Sequence, residues 1–436
     1  MQFDDKDIIK NTRAKKITGK ITQKKSALGV SRTELAVPPS TVTHKSPLYE
    51  LDRPALLVLC DTAFSWVLYG LVFLLPLFFL PFTSDVLELN KQLLLFIGVF
   101  VLLVLQAVRS FLAEEIEVKW SPLFIGFGAL LVGWLLASIA SPYPHNSFVG
   151  LDRQEAFSLS SVAAFTVFAI LIATAATKER VTGILAALLG SAVIASLVGL
   201  AQLAGGFLFP WQFSKIPAFN TIGLVDLWGV LVACSTALSV ILLIWLSVTN
   251  HRLKQPLSIA IAIALAFFLI TLVIMDDWKL WIGVMIGLLF LLGMLFLKLP
   301  KNQKVPWLVA PCFIVVLSLA LSIIHLPRVL PLPLAAQPTW KTSVNLTWET
   351  LKRAPLFCAG PGNFLTSYTQ FRPQEINYEN FARLWTVRFD QSSAAALTKI
   401  AETGLVGFVG MAVLFGIAGF STFRLLKRKE EVGEES

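Results

Sequence analysis

The sequence predicts an all-α membrane protein: a polytopic bundle of about ten transmembrane helices, with a large outward loop containing amphipathic helices between the last two spans. Of its 436 residues, 56% are hydrophobic and only 14% are charged, and the mean hydropathy is +0.73. A water-soluble domain could not cover so much apolar surface. Helices are predicted rather than a barrel because the apolar runs are long and do not alternate with polar residues.

Ten apolar runs are each long enough to cross a hydrocarbon core of roughly 30 Å. They lie at about 55–80, 93–111, 122–140, 157–176, 182–204, 223–249, 257–275, 279–298, 306–325 and 405–424. The expected organisation is a disordered basic tail over 1–53, nine helices within 54–325, an extracytoplasmic loop over 326–404, the last span over 405–424 and a tail over 425–436.

The positive charges predict which ends of the helices face the cytoplasm. The tail over 1–53 is strongly basic, and alternate connections are basic as well. Those connections carry Arg109 with Lys119, Lys178 with Arg180, Arg252 with Lys254, and Lys298 with Lys304. Because cytoplasmic loops concentrate Lys and Arg, both termini are predicted to be cytoplasmic. The net charge of +9 is therefore assigned to topology and membrane lipids, and no nucleic-acid partner is expected.

The loop over 326–404 is predicted to contain helices of its own. An apolar stripe at helical spacing runs through 340–353: Trp340, Val344, Trp348 and Leu351. This pattern is typical of an amphipathic helix lying on the membrane. A second short helix is expected from Asn363. Ser392 is expected to cap a third helix that ends at Gly404.

The predicted outer surface is rich in cations, although topology predicts few there. They are Arg153, Lys215, Arg328, Lys341, Lys352, Arg353, Arg372, Arg383, Arg388 and Lys399. A guanidinium binds phosphate through paired hydrogen bonds and stays charged when partly desolvated, which favours a pyrophosphate-bearing substrate at the outer leaflet. The alternative is that these side chains contact lipid headgroups or pair with Glu375, Glu379 and Asp390.

Several outward motifs resemble those of one family. APLFCAGPGNF at 354–364 is followed by Tyr368, by FRP at 371–373, by RFD at 388–390 and by AETGLVGF at 401–408. Upstream, SPYPHNSFVGLDR occupies 141–153. In this order the motifs resemble the O-antigen ligase and O-antigen polymerase family. The architecture resembles that of the family over 55–424, whereas the motifs resemble it only over 141–153 and 340–408.

The resemblance implies a metal-independent glycosyltransferase with the all-helical membrane fold of the C superfamily type, and no cofactor. Such an enzyme would move a glycan from a polyprenyl-pyrophosphate carrier to a hydroxyl of a glycan, lipid or protein acceptor, at the outer face of the bacterial cytoplasmic membrane. Arginines would stabilise the leaving pyrophosphate while a base removes the acceptor proton. The substrate-binding residues expected on this basis are Arg153, Arg353, Arg372, Gly360, Gly362, Asn363 and Tyr368.

The general base is where this sequence departs from the family. The helix before the last span commonly carries His-Asn or Asn-Glu just ahead of its leucine, whereas this chain has alanines over 394–396 before Leu397. The expected catalytic residues are Arg388, for the leaving group, and Asp390 and Glu402, as candidate bases. Two outward histidines are alternatives because imidazole titrates near neutral pH: His145 and His325.

Two functions of other classes remain open. A lipid or polysaccharide translocator is disfavoured because the spans contain few ionisable groups and no repeat is visible. An inactive scaffold of envelope assembly is compatible with the missing base. No metal site is expected, since Asp276 and Asp277 form an incomplete set of cation ligands and the four cysteines lack metal-binding spacing.

Overall fold

The computed structural model describes residues 53–83, 85–115, 120–150, 157–248, 254–298, 309–324, 337–372 and 387–434. These residues form thirteen α-helices and no strand. The helices are α1 Arg53–Leu74, α2 Glu88–Ala113, α3 Leu123–Ile139, α4 Pro144–Val149, α5 Leu159–Thr174, α6 Lys178–Leu203, α7 Val225–Val248, α8 Lys254–Met275, α9 Trp278–Lys298, α10 Val309–Ile323, α11 Trp340–Arg353, α12 Phe364–Phe371 and α13 Ala395–Glu434. The tail over 1–52, Arg153 and His325 lie outside the described residues.

Seven helices in the described part of the chain are long and apolar enough to cross a membrane: α1, α2, α6, α7, α8, α9 and α13. This confirms the prediction of a helical membrane protein. The helices α3, α5 and α10 lie at three further predicted spans, but they contain only 15 to 17 residues. Their length is about 22 to 26 Å, which is short of a typical hydrocarbon core. The count of ten spans stays a prediction.

The largest apolar core lies among α6 to α10. It is built around Trp228, Phe268 and Trp281, none of which is more than 1% exposed. The outward faces of the same helices carry exposed side chains such as Ile263 and Phe290. Exposed apolar side chains are unfavourable in water but not in lipid. These surfaces therefore indicate a membrane protein, as the lengths of the helices do.

One end of α1, α2 and α6 is joined by a charged cluster. Asp61 Oδ1 lies 2.9 Å from Arg109 Nε and 2.9 Å from Arg180 Nη2. Arg180 Nε also donates a hydrogen bond to Ser65 Oγ at 2.9 Å. The first half of α1, the end of α2 and the start of α6 therefore meet at the same end of the bundle.

Glycines let α3 and α13 approach each other closely. A Cβ atom added to Gly126 would lie 2.9 Å from Leu414 Cα, and one added to Gly410 would lie 2.9 Å from the Ala129 carbonyl oxygen. Gly133 of α3 faces the backbone of Val406 in the same way. Residues early in α3 therefore contact residues late in α13, so the two helices pack antiparallel through small residues, as membrane helices commonly do.

The helix α13 is interrupted at Gly404, where φ is 64° and ψ is −160°. The N–H of Leu405 donates to the Pro355 carbonyl at 3.1 Å, so the interruption is where the outward turn attaches. The predicted helix end at Gly404 is confirmed. The predicted cap at Ser392 is wrong: the helix begins at Ala395, and the Ser392 N–H instead donates to Thr398 Oγ1 at 2.9 Å.

Candidate functional site

The two outward segments around α4 and before α12 meet through buried side-chain hydrogen bonds. Asn363 Nδ2 donates to Ser147 Oγ at 2.8 Å and to Ser141 Oγ at 3.3 Å. Ser141 Oγ in turn donates to the Ala359 carbonyl at 2.8 Å. These partners are 216 to 222 residues apart in the chain. Tertiary structure therefore brings both motif-bearing segments into one site.

The turn between α11 and α12 requires glycine at its centre. Gly360 has a φ of +90° and Gly362 a φ of +70°, in a region that favours glycine. A Cβ atom on Gly360 would collide with the hydroxyl groups of Ser141 and Ser147. The sequence suggested that these glycines bring the backbone close to a substrate. At Gly360 the close approach that the structure describes is to the two serines.

A buried ion pair lies beneath this turn. Lys399 Nζ is 2.6 Å from Glu402 Oε2, and Glu402 is only 1% exposed. The ammonium group also sits 3.4 Å from the ring centroid of Phe157, a cation–π contact. The Glu402 carbonyl accepts a 2.7 Å hydrogen bond from the Gly360 N–H. Its carboxylate lies near the backbone of Gly362 and Phe364, where the turn leads into α12.

A polar cleft of about 390 Å³ opens beside the turn. The end of α11, the turn and α12 form most of its wall, and residues 142–143 complete it. Arg353 is the only charged side chain that lines it within the described residues, and the salt bridges described there do not include Arg353. Five other residues that line the cleft have polar side chains: Tyr143, Thr366, Ser367, Thr369 and Gln370. Such a cleft can bind a hydroxylated, anionic ligand.

The other predicted substrate-binding residues lie behind or beside this cleft. Asn363 is buried behind its wall at 2% exposure. Tyr368 is 1% exposed and packs edge-on against Phe389, with 5.2 Å between ring centroids. Arg372 follows the last residue of α12 and is half-buried. Of the predicted binding residues that are described, Arg353 alone lines the cleft.

The predicted catalytic residues are placed differently from one another. Arg388 is exposed and Asp390 is half-buried, in a segment anchored by the buried ring of Phe389. Neither lines the cleft. Glu402 is buried within the ion pair described above. His145 is exposed on α4, two residues after Tyr143, which lines the cleft.

Two further groups near the cleft are held neutral at physiological pH. Burial raises the pKa of the Cys358 thiol to about 11, and a hydrogen bond with the Gly404 backbone only partly offsets that rise. Burial also raises the pKa of the Tyr368 hydroxyl, and the nearby charge of Arg372 opposes the change. Because a nucleophile or base must lose its proton readily, neither group is suited to that role.

Sequence reasoning missed several residues of this site. It placed Lys399 among the outward cations, whereas the structure buries Lys399 against Glu402. Their spacing of three residues on a helix is a signal that could have predicted the pair. No local signal marks Ser141 and Ser147 as partners of Asn363. Among the described residues, no group of three or more His, Cys, Asp or Glu side chains could hold a metal ion.

Comparison with known proteins does not identify this chain: no family model matches it, and searches of curated proteins and of solved structures give no significant match.

Proposed function

We propose that this protein is an O-antigen ligase-like or polymerase-like glycosyltransferase, which moves a glycan from a polyprenyl-pyrophosphate carrier to an acceptor hydroxyl. The observation that supports this proposal is the cleft itself. The two motif-bearing segments, more than 200 residues apart, converge behind it. An arginine outside the described ion pairs lines it, together with several residues that have polar side chains. This combination suits a sugar attached to a diphosphate.

The proposal includes a topology of ten spans, with both termini in the cytoplasm and the cleft outside the bacterial cytoplasmic membrane. Contacts between distant segments support it. Asp61, Arg109 and Arg180, from segments predicted to lie inside, bind one another. Segments predicted to lie outside also contact one another, as in the bond between Asn363 and Ser147. The helices α3, α5 and α10 would be short spans that require local thinning of the bilayer.

In the proposed reaction, the acceptor oxygen forms a bond to the anomeric carbon as the bond from that carbon to the carrier's diphosphate oxygen breaks. Arg353 binds the diphosphate and stabilises the negative charge that develops on it. Arg153, Arg372 and Arg388 are further candidates to contact the diphosphate. The acceptor proton passes to a base, for which Asp390 and His145 are the candidates. Glu402 is assigned a positioning role, since its ion pair and burial keep it from the cleft.

The decisive experiment is glycan transfer by purified protein in liposomes supplied with a glycosylated polyprenyl-pyrophosphate donor and a panel of acceptors. Arg353→Ala should lower turnover about 100-fold or more, as removal of one transition-state charge contact typically does. Arg353→Lys should recover only part of the rate, because an ammonium lacks the paired hydrogen bonds of a guanidinium. Lys341→Ala is the matched control, since Lys341 is exposed on the same helix and does not line the cleft.

Full activity of Arg353→Ala would show that the cleft does not take part in glycan transfer. A well-folded wild-type protein that transfers no glycan to any acceptor would contradict the proposed function and favour a scaffold.

A further inference from the structure

A cluster of aromatic rings lies at the end of the bundle opposite Asp61, where α1 leads into α2 and α6 leads into α7. Phe79, in the first connection, packs edge-on against three rings of the second, with 5.1 to 5.9 Å between ring centroids: Phe209, Trp211 and Phe219. Phe213 stacks on Trp211, with an interplanar angle of 10°. We call the connection over 204–224 the aromatic loop. Ring contacts of this kind join it to the end of α1.

Hydrogen bonds fix the backbone of the aromatic loop as well. Ser214 Oγ donates to the Trp211 carbonyl at 2.7 Å, near the centre of the loop. Lys91 Nζ, on α2, donates to the carbonyl oxygens of Thr221 at 2.6 Å and Ile222 at 2.8 Å, near its end. The loop is therefore a preformed surface that is attached to both α1 and α2.

This surface is apolar and almost uncharged. Four large apolar side chains of the aromatic loop are more than a third exposed: Phe207, Leu208, Trp211 and Ile216. Lys215 is exposed too, and it is the only charged residue over 204–224. Because a preformed apolar patch is unfavourable in water, it indicates a surface that contacts another phase or molecule.

The exposed apolar sides of α6 and α7 continue into the aromatic loop. Leu197, near the end of α6, is 53% exposed, and Val230, near the start of α7, is 51% exposed. Both helices are long and apolar enough to cross a membrane. A loop that joins the ends of two such helices lies at the level of the lipid headgroups. Aromatic rings and lysine are favoured at that depth, because each has an apolar part and, in tryptophan and lysine, a polar end.

We propose that the aromatic loop is a membrane anchor: its exposed apolar side chains insert into the headgroup region of the adjacent leaflet, and Lys215 contacts lipid phosphate groups. Lipid is favoured over a glycan, because a sugar that stacks on a ring also needs several polar partners. Gln212 and Lys215 are the only exposed polar side chains over 204–224. The anchor sets the depth of the attached helices in the bilayer, whether or not the protein transfers a glycan.

Spin labelling measures the depth of the aromatic loop directly. Leu208→Cys and, separately, Lys178→Cys are made on a background whose native cysteines are replaced by serine. Each variant is labelled with a nitroxide and placed in nanodiscs of phosphatidylethanolamine and phosphatidylglycerol, which leave both faces open to water. Power saturation in the presence of nickel ethylenediaminediacetate, which stays in water, reports how often each nitroxide meets the aqueous phase.

The nitroxide at position 208 should collide with the nickel complex at most about one third as often as the nitroxide at 178, because the headgroup region excludes the complex. Lys178 is the aqueous reference, since it is exposed beside the exposed Glu179 at the other end of α6. Val230→Cys provides the value for a lipid-facing position. Equal collision rates at 208 and 178 would overturn the proposal and leave the exposed rings available to a glycan.

The single charge of the aromatic loop provides a second test. Lys215→Glu places a carboxylate beside the lipid phosphates, so collisions of the nickel complex with the nitroxide at 208 should rise about twofold or more. Lys178→Glu is the matched control, because it makes the same exchange at the opposite end of the bundle and should leave the rate at 208 unchanged. An unchanged rate in a folded Lys215→Glu variant would overturn the contact between Lys215 and the headgroups. If Lys215→Glu does not fold, the depth measured with Lys215 in place still decides whether the loop is an anchor.

Discussion

Lys399 and Glu402 connect three parts of the candidate site at the scale of single residues. The Glu402 carboxylate lies near the backbone at the start of α12, and the Glu402 carbonyl accepts a hydrogen bond from the Gly360 N–H in the turn. Lys399 neutralises the carboxylate and packs on Phe157, which precedes α5. A buried ion pair adds little net stability over apolar residues, but the loss of one partner leaves an uncompensated charge. The pair therefore serves to position the turn.

Removal of one partner should therefore cost more stability than removal of both. Lys399→Met should lower the free energy of unfolding by about 3 to 5 kcal/mol, because it strands the Glu402 carboxylate. The double variant Lys399→Met with Glu402→Leu should recover most of that loss. Equilibrium unfolding in detergent micelles measures both. The exposed pair Lys352–Glu349 has the same spacing and serves as the control, since Lys352→Met should change stability by less than about 1 kcal/mol.

If Lys399→Met were as stable as wild type, the pair would not hold the turn in place. A double variant no more stable than Lys399→Met would contradict the explanation that the single change strands a buried carboxylate.

At the scale of single helices, α11 shows that the spacing of apolar residues predicts a helix but not which of its faces is buried. Its apolar stripe stays exposed, with Trp340 at 64% and Trp348 at 58%. The opposite face, which includes Leu346 and Thr347, is buried; Leu346 packs in an apolar cluster with Ala401 of α13. An exposed tryptophan stripe suits the membrane interface, as the sequence predicted. The polar cleft begins at the end of this helix, at Arg353.

The close packing of α3 on α13 allows a test with a matched control. Gly126→Val should destabilise the protein by about 1 to 3 kcal/mol, because the new side chain meets the Leu414 backbone and must push α13 away. Gly128→Val adds the same atoms to the same helix where nothing lies within 4 Å. Equilibrium unfolding in detergent micelles should give a lower free energy of unfolding for Gly126→Val than for Gly128→Val. Equal stabilities would show that α3 and α13 are not in close contact.

In the whole molecule, hydrogen bonds and ion pairs between distant segments form two groups, each of which joins a different set of helix ends. Arg109 and Arg180 share Asp61 at one end. At the other end, Gln92 binds Val149, and Asn363 binds Ser147. No local rule requires this division, since hydropathy alone does not say which loops meet. Ten alternating spans would produce this arrangement, and the span count stays a prediction.

Cysteine accessibility tests that topology. On a background whose native cysteines are replaced by serine, Lys352→Cys should react with a membrane-impermeant maleimide in intact cells, because it lies in the loop predicted to be outside. Lys178→Cys, at the start of α6, should react only after permeabilisation. Both positions are exposed, so burial does not limit either reaction. Labelling of Lys352→Cys only after permeabilisation would place the cleft in the cytoplasm and refute the proposed function.

The sequence by itself determined all the described α-helices except α4, which lies in a segment predicted to be a loop. The helix α11 spans 340–353 as predicted, α12 begins directly after Asn363, and the last helix is broken at Gly404. The apolar helices α2, α3 and α5 to α10 lie within five residues of the predicted spans. In contrast, α1 ends at Leu74 rather than at 80, and α13 continues to Glu434 rather than ending at 424. Apolar run length, helical spacing and glycine or proline breaks are properties of neighbouring residues, so they can be interpreted without knowledge of the fold.

Only the tertiary structure decided which side chains form the site. The sequence favoured Arg388 over Arg353 as the arginine at the leaving group, but Arg353 lines the cleft and Arg388 lies outside it. Glu402 was a candidate base until Lys399 proved to be buried against it. The physical reason is that the burial of a side chain, and the groups with which it forms ion pairs and hydrogen bonds, depend on segments far apart in the chain. Asn363 meets Ser147 only because the intervening helices return the chain to the same place, and no pattern of neighbouring residues encodes that path.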